Sequence, residues 1–138
     1  MDYRIDLDPT HSVIRLTMTA EIVTLKLAED IYKRLARIAC RGGPYAAIYD
    51  FSAVRETTIP TEMVRSFGRR QPPVPVGRPH VVVAGAPAIY GLARMFQICG
   101  ETVGKKDEVV HSVEAAYSIV GARPEDFTEH LFPKRMAA

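Results

Sequence analysis

Two segments of this chain are apolar at both parities. YAAIYDF (Tyr45–Phe51) is interrupted only by Asp50, and HVVVAGAP (His80–Pro87) has no polar side chain after its histidine. A strand with one face in water alternates apolar and polar residues, so a run apolar at both parities has to be covered on both faces. Strands of that kind lie inside a sheet that carries packed helices. This restricts the chain to α/β architectures.

The flanking segments supply the rest. Residues 3–7 (YRIDL) and 13–19 (VIRLTMT) alternate with the period of two of half-buried strands, and the DPTHS segment between them is rich in turn formers, so the chain opens with a hairpin. From Leu25 the period lengthens. Leu27, Ile31, Leu35 and Ile38 share one helical face, with Thr24 placed to cap the helix and Gly42–Gly43 to end it. Pro60 and Pro87 open two further helices. The first presents Met63, Val64 and Phe67 inward; the second presents Ile89, Leu92, Phe96 and Cys99. RRQPPVPVGRP, with Pro72, Pro73, Pro75 and Pro79, is an extended, solvated connector. EVVH is a last strand, Ser112 caps a helix ending at Gly121, and RPEDFTEHLF adds a short helical turn or two. The order ββαβαβαβα predicts an N-terminal β-hairpin, then alternating strands and helices in a mixed, mostly parallel sheet. A single domain spans 1–138, with its core over about 3–121 and a helical extension over 122–138.

A chain of 138 residues is long enough to bury one core. Its net charge of +2, from 18 Lys+Arg against 16 Asp+Glu, argues against nucleic acid as a partner. No run approaches the ~20 apolar residues that span a bilayer, and MDYRIDLDP has no apolar core of a signal peptide. Two cysteines, Cys40 and Cys99, make no disulfide framework, and their helical positions suggest inert buried thiols. The expectation is a reduced, cytoplasmic protein with no membrane span, no metal and no cofactor.

DFSAV (Asp50–Val54), at the end of the third strand, resembles the D-L-S-x-V motif of the STAS superfamily, the anti-sigma-factor-antagonist fold. EVVHSVEAAYSIV is similar to that family's last strand and its capped helix, so the resemblance covers roughly residues 3–121. It implies the scaffold and a regulatory, protein-binding role. The family's motif continues to a D-S-S-G turn that carries a phosphoacceptor serine. Aligned without gaps, that aspartate falls on Thr58 and the serines fall on Ile59 and Pro60, so the phosphoacceptor position is silent. The departure leaves room for a divergent member that binds a small or lipid-like ligand.

Catalytic patterns are incomplete. Asp50, Ser52 and His111 end parallel strands and so share an edge, which is the material of a small hydrolase or transferase. The G-x-S-x-G elbow is missing, however, and Asp50 and Ser52 have the chemistry of a turn. His11, His80 and His130 have no metal-ligand spacing. GETVGKK lacks the Walker spacing and follows a helix, and VVVAGAPAIYG carries Pro87 where a dinucleotide fingerprint needs glycine. The reading is a non-catalytic, STAS-like module that engages a protein partner or a small ligand at the carboxyl edge of the parallel strands. The residues of that edge are Asp50, Ser52, Arg55, Glu56, Thr57, Thr58, Gly85, Ala86 and His111. A homo-oligomeric subunit, such as a homodimer paired through the hairpin, is the third alternative.

Overall fold

The structure, a computed structural model, describes residues 2–129. The hairpin strands are β1 (Tyr3–Asp8) and β2 (Val13–Met18); the parallel strands are β4 (Ala46–Asp50), β6 (His80–Val83) and β7 (Asp107–Val110). Two short strands, β3 (Ile22–Val23) and β5 (Glu56–Thr57), pair with each other in parallel as a separate ribbon. The helices are α1 (Leu25–Ala39), α2 (Thr61–Arg69), α3 (Pro87–Glu101) and α4 (Val113–Val120). A 3-10 turn at Pro124–Asp126 leads into β8 (Thr128–Glu129), which joins the free edge of β1. Of the expected helical extension, the described residues show one turn before the chain returns to the sheet. The rest of that segment, His130 included, lies outside the described residues.

The main sheet runs β7-β6-β4-β2-β1-β8, antiparallel within the hairpin and parallel from β2 to β7. The parallel strands step across the sheet in one direction. Crossovers of one hand that step one way put their helices on one face, and α1, α2 and α3 share that face. Ile14, Leu16, Met18, Ile31, Leu35 and Ile89 form the core there. The opposite parity (Val13, Ala46, Ile48, Val81 and Val83) packs under α4 through Ala116 and Val120. Both faces of β4 and β6 are therefore covered, as their unbroken apolar runs require.

The helix ends follow local chemistry. The Thr24 hydroxyl accepts from Leu27 N–H, and Ser112 does the same for Ala115. Gly121 closes α4 at φ 74°, the left-handed region that glycine enters freely. Met63 departs from expectation: it is 36% exposed, and the inner face of α2 is formed by Val64, Phe67 and the buried Gly68. Gly68 sets how closely α2 meets α3, since a Cβ there would lie 2.7 Å from the Phe96 carbonyl oxygen and 2.9 Å from Cys99 Cβ. Alanine is the better helix former by about 1 kcal/mol, yet here it must push two helix backbones apart. Gly68→Ala should therefore destabilise the protein by about 1–3 kcal/mol, read as a lower midpoint in urea. An unchanged midpoint would show that the seam can yield.

Candidate functional site

Between the sheet and its three-helix face lies a cavity of about 240 Å3. Leu16, Tyr49 and Val82 form its floor. Its walls come from Ala28, Ile31 and Leu35 of α1, Val64 and Phe67 of α2, and Ile89, Leu92, Ala93 and Phe96 of α3. The proline-rich connector closes one end with Pro72 and Pro73. The connector is part of the fold and not a solvated spacer: Val74 is fully buried, and Arg78 donates to the carbonyls of Ser12 and Pro44.

That end of the cavity is also its polar end. His80 and Asp107 stand opposite each other on β6 and β7, 4.0 Å apart from Nδ1 to Oδ1. The Tyr49 hydroxyl lies 3.3 Å from His80 Nδ1. Lys105, only 6% exposed, donates from Nζ to the Arg70 carbonyl at 3.0 Å and sits 4.9 Å above the Phe96 ring. His80 is 3% exposed, and its Nε2 is the one buried side-chain polar atom among the described residues with no hydrogen-bond partner. The Pro75 carbonyl acts on this ring and favours its protonation, but it does not reach hydrogen-bonding geometry with Nε2.

Burial governs the electrostatics. It pushes the His80 imidazole below its usual value, against the pull of Asp107, and Lys105 adds to the lowering. Burial lowers Lys105 although Asp107 opposes it, and raises Asp107 although His80 and Lys105 oppose that. The Tyr49 phenol is raised by the same cause, with Asp107 adding to it. All four groups are biased toward their uncharged forms, as desolvation dictates where no partner is close enough to compensate.

A depressed histidine pKa links to stability with a definite sign. Above the ordinary value of about 6.5 the ring is neutral in both states; as pH falls toward the lowered native value, the unfolded chain binds the proton first and stability is lost. Asp107 acts in the opposite sense, because its protonation in acid relieves a burial penalty. His80→Gln should therefore lose less stability than the wild type between about pH 7.5 and about pH 5, compared by denaturation midpoints. Equal losses would mean that His80 does not titrate in this range.

Over the wall between α1 and the connector, Arg70 makes a clasp. It donates from Nη1 to Glu29 Oε1 at 2.7 Å, and its guanidinium lies 4.0 Å above the Tyr32 ring. The Tyr32 hydroxyl donates in turn to the Gln71 carbonyl.

The carboxyl edge has a different character. Asp50, Val83 and Val110 are in register, so the segments that follow them emerge side by side. Asp50 Oδ1 accepts from both the Ser52 N–H, at 2.9 Å, and the Ser52 hydroxyl, which is the geometry of an Asx turn. His111 is exposed and stacks on Tyr90 with ring centroids 4.0 Å apart, and no described histidine accepts from the Ser52 hydroxyl. Arg55 and Glu56 are exposed, and their N–H groups donate to the Glu21 carbonyl. Thr58 and Gly85 are exposed, while Ala86 packs against the core at the start of α3. Of the predicted edge residues, Thr57 alone lines the cavity, with its hydroxyl donating to the Val23 carbonyl.

Sequence reasoning missed Tyr49, His80, Lys105 and Asp107 as a group. One signal was available: His80 shares its parity with Val82 and Ala84 in a strand covered on both faces, so its ring had to be buried and had to find partners. The thiols also differ from expectation. Cys40, just past the end of α1, is exposed, and Cys99 is half-buried in the α2–α3 seam. On the far side of the hairpin, Asp8, His11 and Asp126 come together. Asp8 there accepts from Thr10 N–H and His11 N–H, as a turn-former does. Among the described residues no helix is long and apolar enough to cross a membrane.

No family model, curated protein or solved structure matches this chain.

Proposed function

We propose that this chain is a non-catalytic binding module whose cavity takes a small, largely apolar molecule. The observation that carries the reading is the cavity itself, apolar over most of its lining and closed at one end by Tyr49, His80, Lys105 and Asp107. Burial biases all four of these groups toward their uncharged forms. Perturbed groups gathered in an apolar pocket are the usual mark of a binding or active site.

In this reading the STAS-like scaffold is retained and its phosphorylation switch is replaced by ligand occupancy. Val54, Thr57 and Ile59 line the cavity and belong to the same loop as Asp50, Ser52, Arg55 and Glu56. A protein partner at the carboxyl edge would sense the ligand through that loop.

Native mass spectrometry of protein isolated from its own cell tests the reading, together with a thermal-shift panel of small aromatic and aliphatic compounds. A bound small molecule or a panel shift is expected in the wild type. It should persist when Arg55→Glu and Glu56→Arg are combined, and disappear when the cavity is filled. Loss in the charge-reversed variant alone would move the site to the edge. The absence of any adduct or shift would end the proposal.

A further inference from the structure

We propose that Lys105 is a covalent attachment site, at which an apolar aldehyde or ketone is held in the cavity as a reversible imine. This rests on the cavity reading above and names the functional group by which the ligand is held.

Lys105 and Lys106 are neighbours with opposite surroundings. Lys106 is exposed, whereas Lys105 is 6% exposed, with its stem against Gly100 and its Nζ 4.9 Å from the centre of the Phe96 ring in the cavity wall. Lysine is almost never buried this far without a counter-charge. Among the described residues no carboxylate forms an ion pair with it, and its hydrogen bond goes to the neutral carbonyl of Arg70. Burial favours the uncharged amine, against the pull of Asp107. An uncharged amine that donates one N–H to Arg70 keeps its lone pair, and is then a nucleophile instead of an ion.

Tyr32, Tyr49, Thr57, Gln71, His80 and Asp107 are the other polar side chains of the lining. Their hydroxyl, imidazole and carboxyl groups lack the two hydrogens on nitrogen that condensation with a carbonyl consumes. The Gln71 amide nitrogen has its lone pair delocalised into its own carbonyl. Lys105 alone can complete the reaction. Its nitrogen adds to the carbonyl carbon, and the C=O π pair moves to oxygen as the C–N bond forms. One N–H proton passes to that oxygen and gives a carbinolamine. The second N–H proton is lost as the C–O bond breaks, so one water departs and C=N remains, with no net oxidation or reduction. Asp107, two residues on, lines the same cavity, and burial biases it toward the protonated acid that the departing oxygen needs. A dry cavity of about 150 Å3 takes benzene, so about 240 Å3 accommodates a carbonyl compound of about ten heavy atoms.

Octanal tests this on the full chain near neutral pH, with cyanoborohydride present to convert each imine to a stable secondary amine and peptide mapping to read every lysine. Lys105 should be alkylated at least about tenfold faster than the exposed Lys26, Lys33 and Lys106, because more of it is uncharged. Excess 1-octanol, which has the same body and no carbonyl, should protect Lys105. Lys105→Met should abolish the fast reaction while 1-octanol still raises the melting temperature. Alkylation of Lys105 no faster than that of Lys106, or fast alkylation that 1-octanol does not slow, would overturn the inference; a thermal shift with 1-octanol would then still leave the cavity as a binding site. If octanal spares Lys105 and 1-octanol shifts nothing, the cavity reading falls with it.

Discussion

Ala93→Phe is expected to reduce ligand binding at least about 100-fold while leaving the protein folded. Ala93 lies on the α3 wall of the cavity, so its side chain can be enlarged inward. A phenyl ring placed there occupies volume the ligand needs, and rejection by overlap is the steepest discrimination a rigid pocket offers. The same ring buries apolar surface against Leu92 and Phe96 in space that is now empty, and cavity filling of this kind commonly adds about 0.5–2 kcal/mol. Lost binding together with a raised melting temperature is the signature sought. Ala28→Phe enters from the α1 wall and guards against overpacking at one site. Unaltered binding in both variants would place the ligand elsewhere.

The largest effect on stability should come from the other face of the hairpin. Asp6 is 1% exposed and directly opposite Arg15, whose Nη2 donates to its Oδ2 at 2.7 Å. Arg15 is itself held by the Tyr117 hydroxyl at 2.7 Å and by the Phe127 ring 4.3 Å away, so it cannot swing out to water when its partner is removed. Asp6→Ala then leaves a buried guanidinium served only by neutral groups, at a cost of about 3–5 kcal/mol. Removing both charges as Asp6→Leu with Arg15→Met should cost far less, because the one ion left without its partner is Arg4, whose half-exposed side chain keeps its water. Urea unfolding of the three proteins measures both numbers. A double variant as unstable as the single one would shift the explanation from charge to shape.

The parts of this fold that read clearly from the sequence are those in which one local pattern decides the outcome. Ile31, Leu35 and Ile38 repeat at helical spacing, Thr24 and Ser112 are capping residues in capping positions, and the doubled parity of Ala46–Tyr49 and Val81–Ala84 requires cover on both sides. The failures are equally local. Thr128–Glu129 is too short to carry a period, so its pairing with β1 depends on where the 3-10 turn delivers it. Met63 follows the periodicity of its helix, but α2 meets α3 through Gly68 and leaves Met63 outside.

The polar end of the cavity was hidden for a different reason. Tyr49 reads as strand, His80 as a strand boundary, Lys105 as a basic loop and Asp107 as the residue just before a strand. They become neighbours only because β4, β6 and β7 lie side by side in register. Asp50, Ser52 and His111 were legible as an edge because each stands at the end of its own strand, and the position in the element was the whole signal.

The Arg70 clasp has a kinetic consequence. Beside the Tyr32–Gln71 hydrogen bond, it fastens α1 to the connector by one solvent-exposed ion pair and one cation–aromatic contact, and an exposed pair contributes about 0–1 kcal/mol and weakens as salt rises. Part of what holds this wall is therefore sensitive to salt. Raising the ionic strength should speed both entry and departure of an apolar ligand and leave their ratio, the affinity, nearly constant. Arg70→Leu should exchange ligand as fast in dilute buffer as the wild type does in concentrated salt, which makes the clasp a control on residence time.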